Sequence, residues 1–500
     1  MAVDSGVWST FEQRMGEVED LGATLGLLGW DEQTMCAPKG REARSQHSAT
    51  LASILHERVV DPAFGDAIET LTADGDGLTD AQRAMVRLAK HDRDRSVRVP
   101  AALVRALAEQ GSRCNRSWEA ARKANDFAIW QPELERMVDL KIRHAEALST
   151  GGDLYDALLE GYEPGMSVAD LDPLLGGLRA VLVPFVQELL DRPAPDVSFL
   201  AGPFDRDRQR ELTVRVLGDF GFDFAAGRQD VSTHPFCGGP GPTDVRMTTR
   251  YYDTLEPGAL LSSMHECGHG LYQQGLPAAH ARTTVAHAPS LGLHESQSRF
   301  WENIIGRSRA FWEHYLPVAR DLFPAELGGI DLDDFLRGVN HVARTPVRVD
   351  ADEVTYNLHI LVRYELERAL LAREVAVADL PAAWNERYVE YLGYTPKHDL
   401  EGCMQDIHWS WGEMGYFSTY TLGNLYAAAI RDRMASDLDI DGLTRRGEFA
   451  PILGWLRERI HAQGSLRPGI ELMRDVTGRP LGHEPLMAYL REKYGALYGL

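Results

Sequence analysis

Apolar positions recur at three- and four-residue spacing along most of the chain, the pattern of helices that bury one face. This spacing predicts helices over residues 11–28 and 41–55, parted by the turn Ala37-Pro38-Lys39-Gly40. It continues over 80–90, 101–124, 130–148, 168–190 and 205–217, in segments rich in the strong helix formers Ala, Leu, Arg and Glu. Between 221 and 252 the character changes. Gly, Pro, Thr and His accumulate there, and residues 245–251 alternate as a strand does. Helical spacing then returns at 257–275, after Pro289 (Leu293, Phe300, Trp301, Ile304), and over 356–371, 380–392, 422–434, 451–460 and 486–494. The expected fold is mainly α with one small β region, and no segment repeats at a fixed period. A chain of 500 residues exceeds one ordinary core, so it forms either two or more lobes or one large helical body.

The segment after the β region carries His265-Glu266-x-x-His269. Pro257 suits a first helical position, and Leu260, Met264, Cys267, Gly268 and Leu271 keep helical spacing up to the stop at Gly275 and Pro277. On a helix the two histidines project from one face, one turn apart, and can share one Zn²⁺. Glu266 lies beside them, where it can take a proton from a water activated by the metal. With 17 histidines in the chain, chance produces this motif in about one such sequence in twenty-five, so its helical setting favours a metal site over two surface histidines.

Composition narrows the remaining choices. A formal charge of −22 excludes nucleic acid as the main partner, because phosphate binding needs basic surface. The first fifteen residues show no signal peptide, and no stretch approaches the run of about 20 apolar residues that a membrane helix requires. Five scattered cysteines (Cys36, Cys114, Cys237, Cys267, Cys403) offer neither a disulfide framework nor a C-x-x-C clip, which points to the cytoplasm.

A zinc on two helical histidines needs a third protein ligand. A third histidine at the extended-motif position is absent, since Gly275 stands there. On the next helix Leu293-His294-Glu295-Ser296-Gln297 offers Glu295, which would complete a His₂Glu set. His294 is the rival and points to a different helix face. Asp437-x-Asp439-x-Asp441-Gly442 with Glu448 fits a written calcium-loop pattern. Thr444 stands where such loops bury an apolar side chain, and Arg445 and Arg446 oppose a cation, so a helix-capping acidic turn is the expected reading.

These residues, with further blocks, resemble the carboxypeptidase Taq family of metallocarboxypeptidases. The blocks are Trp30-Asp31-x-x-Thr34, His234-Pro235-Phe236, Asp244-x-Arg246-x-Thr248, His294-Glu295-Ser296-Gln297 and Val347-Arg348-x-x-Ala351-Asp352. Gly402-x-x-Gln405-Asp406-x-His408-Trp409 and Phe417-x-Thr419-Tyr420-x-Leu422-Gly423-Asn424 complete them, so the resemblance spans most of the chain in order. Cys267 and Ser418 depart from the family's usual residues without removing a proposed ligand or base. The resemblance implies a multi-helix, zincin-like metallopeptidase with a small β-sheet beside a deep groove. It is read as one domain over 1–500 in which two lobes flank the groove. Helical 1–220, β-containing 221–252, metal-binding 253–305 and helical 306–500 make it up. It further implies release of single residues from peptide C-termini with broad specificity, a divalent metal (Zn²⁺, or Co²⁺), and a homodimer. Within the matched motifs, His408 and Tyr420 are candidate donors to the developing oxyanion. Arg348 is the preferred clamp for a substrate carboxylate, with Arg246 closing the end of the groove and His234 bordering it. The alternative for each arginine is an ion pair with its own motif aspartate, Asp352 or Asp244. An oligopeptidase cleaving internal bonds, or a non-catalytic peptide-binding protein stabilised by metal, are the competing functions.

Overall fold

The computed structural model describes residues 4–73, 75–256 and 258–500, the side chain of Asp76 excepted. The chain is 68% helical, as the apolar spacing requires. Most expected helices form, and Arg41–Val59, Ala101–Ala124, Val168–Leu190, Tyr356–Leu371 and Leu380–Leu392 do so within about a turn of their expected ends. The first, Ser5–Thr34, runs beyond both ends of the expected 11–28. Two compact units arise from interleaved stretches of chain. The first draws on the described residues of Met1–Val97, Val197–Leu336 and Ile430–Arg479, the second on Arg98–Asp196, Arg337–Ala429 and Pro480–Leu500.

The first unit contains the sheet. Strands β1 (Gly227–Val231), β2 (Cys237–Gly241) and β3 (Asp244–Thr249) stand in the order β1-β3-β2. β1 runs parallel and β2 antiparallel to β3. Only β3 was legible as alternation, because β1 is polar and β2 reads Cys-Gly-Gly-Pro-Gly. Aromatic packing of Phe220 against Trp301 (4.4 Å) and Phe449 (4.7 Å) forms part of this unit's core. A second cluster holds the N-terminal helix through Phe11 and Met15 against Phe64, Ile68 and Met85.

The acidic turn behaves as a cap. Asp439 accepts the Gly442 N–H at 2.9 Å and starts the helix Ile440–Arg445. Asp437 pairs with Arg433, and Glu448 with Arg446, so the first and last carboxylates of the calcium-like pattern are spent on arginines.

In the second unit, Val168–Leu190 has the length and composition of a membrane span, which revises the expectation that no stretch comes close. Its apolar side is buried through Leu171, Leu175, Leu178, Leu182 and Phe185, and it carries Pro173 and Pro184 internally.

Helix Tyr356–Leu371 presents Glu367 to three donors: Trp409 Nε1 at 2.9 Å, Tyr155 OH at 3.1 Å and the Gly415 N–H at 3.1 Å. Burial outweighs these bonds and raises the Glu367 pKa from 4.5 to about 7. An acid whose pKa rises on folding stabilises the fold fully below its unfolded value, and that contribution is lost as pH climbs through the folded value. Urea unfolding of wild type and Glu367→Gln across pH 4.5–8 isolates this group. The wild type is expected to lose about 3 kcal/mol relative to the variant over that window.

Candidate metal centre

The motif helix is Ala259–Gly275, with Gly258 as an extended N-cap; Pro257 lies outside the described residues. Its inner face sits on β3. Ser263 Oγ donates to Thr249 Oγ1 at 2.8 Å and accepts from Gln229 Nε2 at 3.0 Å. Phe222 and Val245 fill the space where Gly270 has no Cβ. Cys267 is fully buried, with burial pushing its thiol far up, so it acts here as a small apolar side chain.

The next helix, Leu291–Arg299, is started by Ser290, whose hydroxyl accepts from the Leu293 N–H. It approaches the motif helix so closely that a Cβ on Gly268 would lie 2.4 Å from the Gln297 carbonyl oxygen and 2.6 Å from Ser298 Cα. That contact brings Glu295 over the histidines. Gly268→Ala must push the two helices apart, so thermal unfolding should show a loss of about 1–3 kcal/mol. Chelator competition should show weaker metal retention, because Glu295 moves with its helix.

Side chains of His265, His269 and Glu295 each offer one ligand atom, and these atoms lie within 4.8 Å of one another. Glu295 Oε2 is 3.6 Å from His265 Nε2 and 3.3 Å from His269 Nε2. His294 takes no part in that set: its ring stacks on His269 at 4.2 Å and an interplanar angle of 11°. Two imidazoles and a carboxylate suit a divalent ion of the zinc type, and the spacing of their ligand atoms fits one ion.

Two contributors escaped sequence reasoning. Glu302 accepts a 2.8 Å bond from His265 Nδ1, which aims the other ring nitrogen at Glu295. Arg299 reaches Glu295 Oε1 at 2.8 Å and Glu302 Oε2 at 3.3 Å. Seven residues separate Glu295 from Glu302, a spacing that keeps one helix face and is the signal that could have found the second carboxylate.

The electrostatics follow from this crowding. Burial works against charge on His265, yet Glu295 and Glu302 lift its pKa to about 9. Burial would also raise both acids. Arg299 and His265 overcome it, holding Glu302 at about 2 and Glu295 well below the usual carboxylate range. Glu266 differs. Burial raises it, His265 and His269 pull it down, and Glu295 and Glu302 push it up again; the net shift is upward. Its charge is offset chiefly by His265 and His269, which suits a group that must accept and return a proton.

The other sequence candidates fall into two groups. Within the first unit, Arg246 makes both bonds of a fork to Asp244 (2.9 Å each) and stacks 4.3 Å from the Trp30 ring centroid. The Asp244 alternative therefore describes its contact. His234 is exposed in the turn before β2, with its carbonyl 2.6 Å from Ser232 Oγ. Thr248 closes that turn by accepting the Phe236 N–H at 3.0 Å.

Within the second unit, Arg348 is buried, but Asp352 is not its partner. Asp352 caps the helix at Tyr356, accepting from Thr355 and Val354. Arg348 instead gives Nε (3.0 Å) and Nη2 (2.8 Å) to Asp406 Oδ1, and Nη1 (3.0 Å) to Tyr356 OH. Arg363, also fully buried, gives Nε to Asp406 Oδ2 at 2.6 Å. Two buried guanidiniums thus share one carboxylate. Tyr420 lies beside them, its ring 5.1 Å from the Arg348 guanidinium, and its hydroxyl is 3.5 Å from His408 Nε2. Arg348, His408 and Tyr420 are therefore one neighbourhood.

A mainly helical protein with a three-stranded sheet under an H-E-x-x-H helix, and a glutamate closing on both histidines, defines a helical metallopeptidase architecture. The chain belongs to the carboxypeptidase Taq (M32) metallopeptidase family, whose profile matches residues 10–494. It is 44% identical to thermostable carboxypeptidase 1 of Thermus thermophilus over 504 aligned residues, covering 98% of each chain. Carboxypeptidase 1 of Bacillus subtilis is 36% identical, again with 98% of each covered. The crystal structure of the M32 carboxypeptidase from Deinococcus radiodurans R1 superposes with a TM-score of 0.96 at 38% identity, covering 99% of this chain and 100% of that one.

Proposed function

We propose that this metallocarboxypeptidase uses zinc held by His265, His269 and Glu295, with Glu266 as its general base. The convergence of three ligand atoms within 4.8 Å is the observation that carries the reading. When bound there, the ion supplies Lewis acidity that polarises the scissile carbonyl and acidifies a water. Glu266 accepts that water's proton as it attacks and passes it to the departing amine. His408 or Tyr420 donates to the oxyanion that develops on the carbonyl. Glu302 holds His265 in the tautomer that keeps Nε2 for the metal. Cobalt, which takes the same nitrogen and oxygen donors, is the natural substitute.

The substrates are peptides with a free C-terminus, trimmed one residue at a time. Arg348 is the proposed carboxylate clamp. The excess positive charge of two buried guanidiniums against the single Asp406 carboxylate supports an anion there. Arg246 and His234 border the bound peptide in this reading. The five cysteines are free, which supports a reducing compartment such as the cytoplasm, and the homodimer is open to sedimentation analysis.

Timed mass spectrometry on a mixed peptide pool tests the proposal. Ladders shortened singly from the C-terminus, and no cleavage of C-terminally amidated peptides, are expected. Cleavage of amidated peptides at internal bonds would assign the chain to the oligopeptidase alternative.

A further inference from the structure

We propose that Arg299 is a positioning residue that restricts Glu295 to one-oxygen coordination, and so keeps a coordination position open for solvent. This rests on the metal site proposed above. The two oxygens of Glu295 have different surroundings. Oε2 faces both histidine Nε2 atoms, at 3.6 and 3.3 Å, and lies 3.0 Å from Ser298 Oγ. Oε1 accepts the Arg299 Nε–H at 2.8 Å, on the side away from the histidines' shared partner oxygen. A carboxylate that turned both oxygens to the ion would take two positions. With Oε1 held, His265, His269 and Glu295 take three, and a tetrahedral ion keeps its fourth.

A glutamate and an arginine four residues apart on a helix usually form a solvent-exposed pair of small consequence. This pair is different, since the side chains are only 13% and 9% exposed. The same guanidinium also reaches Glu302 Oε2 at 3.3 Å, the oxygen that accepts from His265 Nδ1. One cation therefore ties down the carboxylate ligand and the carboxylate that orients a histidine ligand. It also offsets the repulsion between two acids packed side by side.

Backbone geometry changes at this point. Arg299 ends the α-helix, and Phe300–Ile305 continues as a π-helix in which the Gly306 N–H reaches the Trp301 carbonyl, five residues back. Such wide turns concentrate at functional sites, where they re-aim side chains. Glu302 stands inside this one. Gly306 closes it against Met264, the residue before His265: a Cβ there would lie 2.3 Å from Met264 Cε.

Cobalt(II) as a probe of the full-length protein tests the proposal, because its visible spectrum separates four-coordinate from five-coordinate ions whether or not the protein turns over. Wild type is expected to bind one equivalent with the intense bands of a four-coordinate ion. Arg299→Met should shift to the weaker, five-coordinate type as Glu295 Oε1 swings onto the metal. Its zinc affinity, read by chelator competition, should fall about 10–100-fold. If Arg299→Met does not fold, Arg299→Gln carries the test, since a shorter, uncharged side chain lacks the fork that reaches both Glu295 and Glu302, and the same spectral change is expected. A folded variant with a wild-type spectrum and zinc affinity within about twofold of wild type would overturn the proposal. So would a five-coordinate wild type. Wild type that binds no cobalt would instead overturn the metal site itself.

Discussion

Glu266→Gln is expected to lower kcat about 10³-fold while metal content and KM stay near wild type. The amide keeps the shape of the side chain but cannot take a proton, and a positioned general base contributes about 10²–10⁴-fold. Glu266 is 7% exposed on the motif helix, between the two histidines in sequence and outside the set of converging ligand atoms. Loss of activity should therefore come without loss of metal. Steady-state kinetics on a free-carboxylate peptide, paired with metal analysis of the same sample, checks this. Unaltered turnover would place the base elsewhere. A wild type that never turns over would favour the peptide-binding alternative.

Asp406→Ala is expected to destabilise the protein by about 3–5 kcal/mol, the range for removing one partner from a buried ion pair. Asp406 is the shared acceptor of Arg348 and Arg363, and those two arginines hold its pKa far below the ordinary range against burial. Without it, two buried guanidiniums lose their common carboxylate. Arg348 also loses two of the bonds that fix its plane, so KM for free-carboxylate peptides should rise as well. Denaturant unfolding reads the first effect, and kinetics of whatever remains folded reads the second. A loss below about 1 kcal/mol would mean that water or neighbouring dipoles already neutralise the pair.

The sequence carried the local part of this architecture and missed the long-range part. Helical spacing predicted helices that bury one face, such as Ala101–Ala124, whose buried residues are Leu103, Gln110, Cys114 and Ala121, whereas Tyr356–Leu371 is buried almost all round. Two histidines one turn apart are a local fact, and Glu295 follows as an acid on the adjoining helix. Arg348 shows the limit. The nearest motif acid, Asp352, is taken by the helix cap at Thr355, while Asp406, 58 residues away in sequence, accepts the guanidinium. No spacing rule reaches that far. β1 and β2 were invisible for another reason: a polar strand and a glycine-rich one hold their places by pairing with β3, and carry no alternation of their own. Arg299 and Glu302 lay in plain view four and seven residues after Glu295, a spacing that hints at a shared face, but the π-turn that holds Glu302 leaves no mark in the apolar pattern.

Anomalous diffraction from crystals soaked in zinc addresses the central claim most directly. One peak per chain is predicted, at about 2.0–2.2 Å from Nε2 of His265, Nε2 of His269 and one carboxylate oxygen of Glu295. A peak bonded to other residues, or a zinc that leaves Glu295 unbonded, would contradict it.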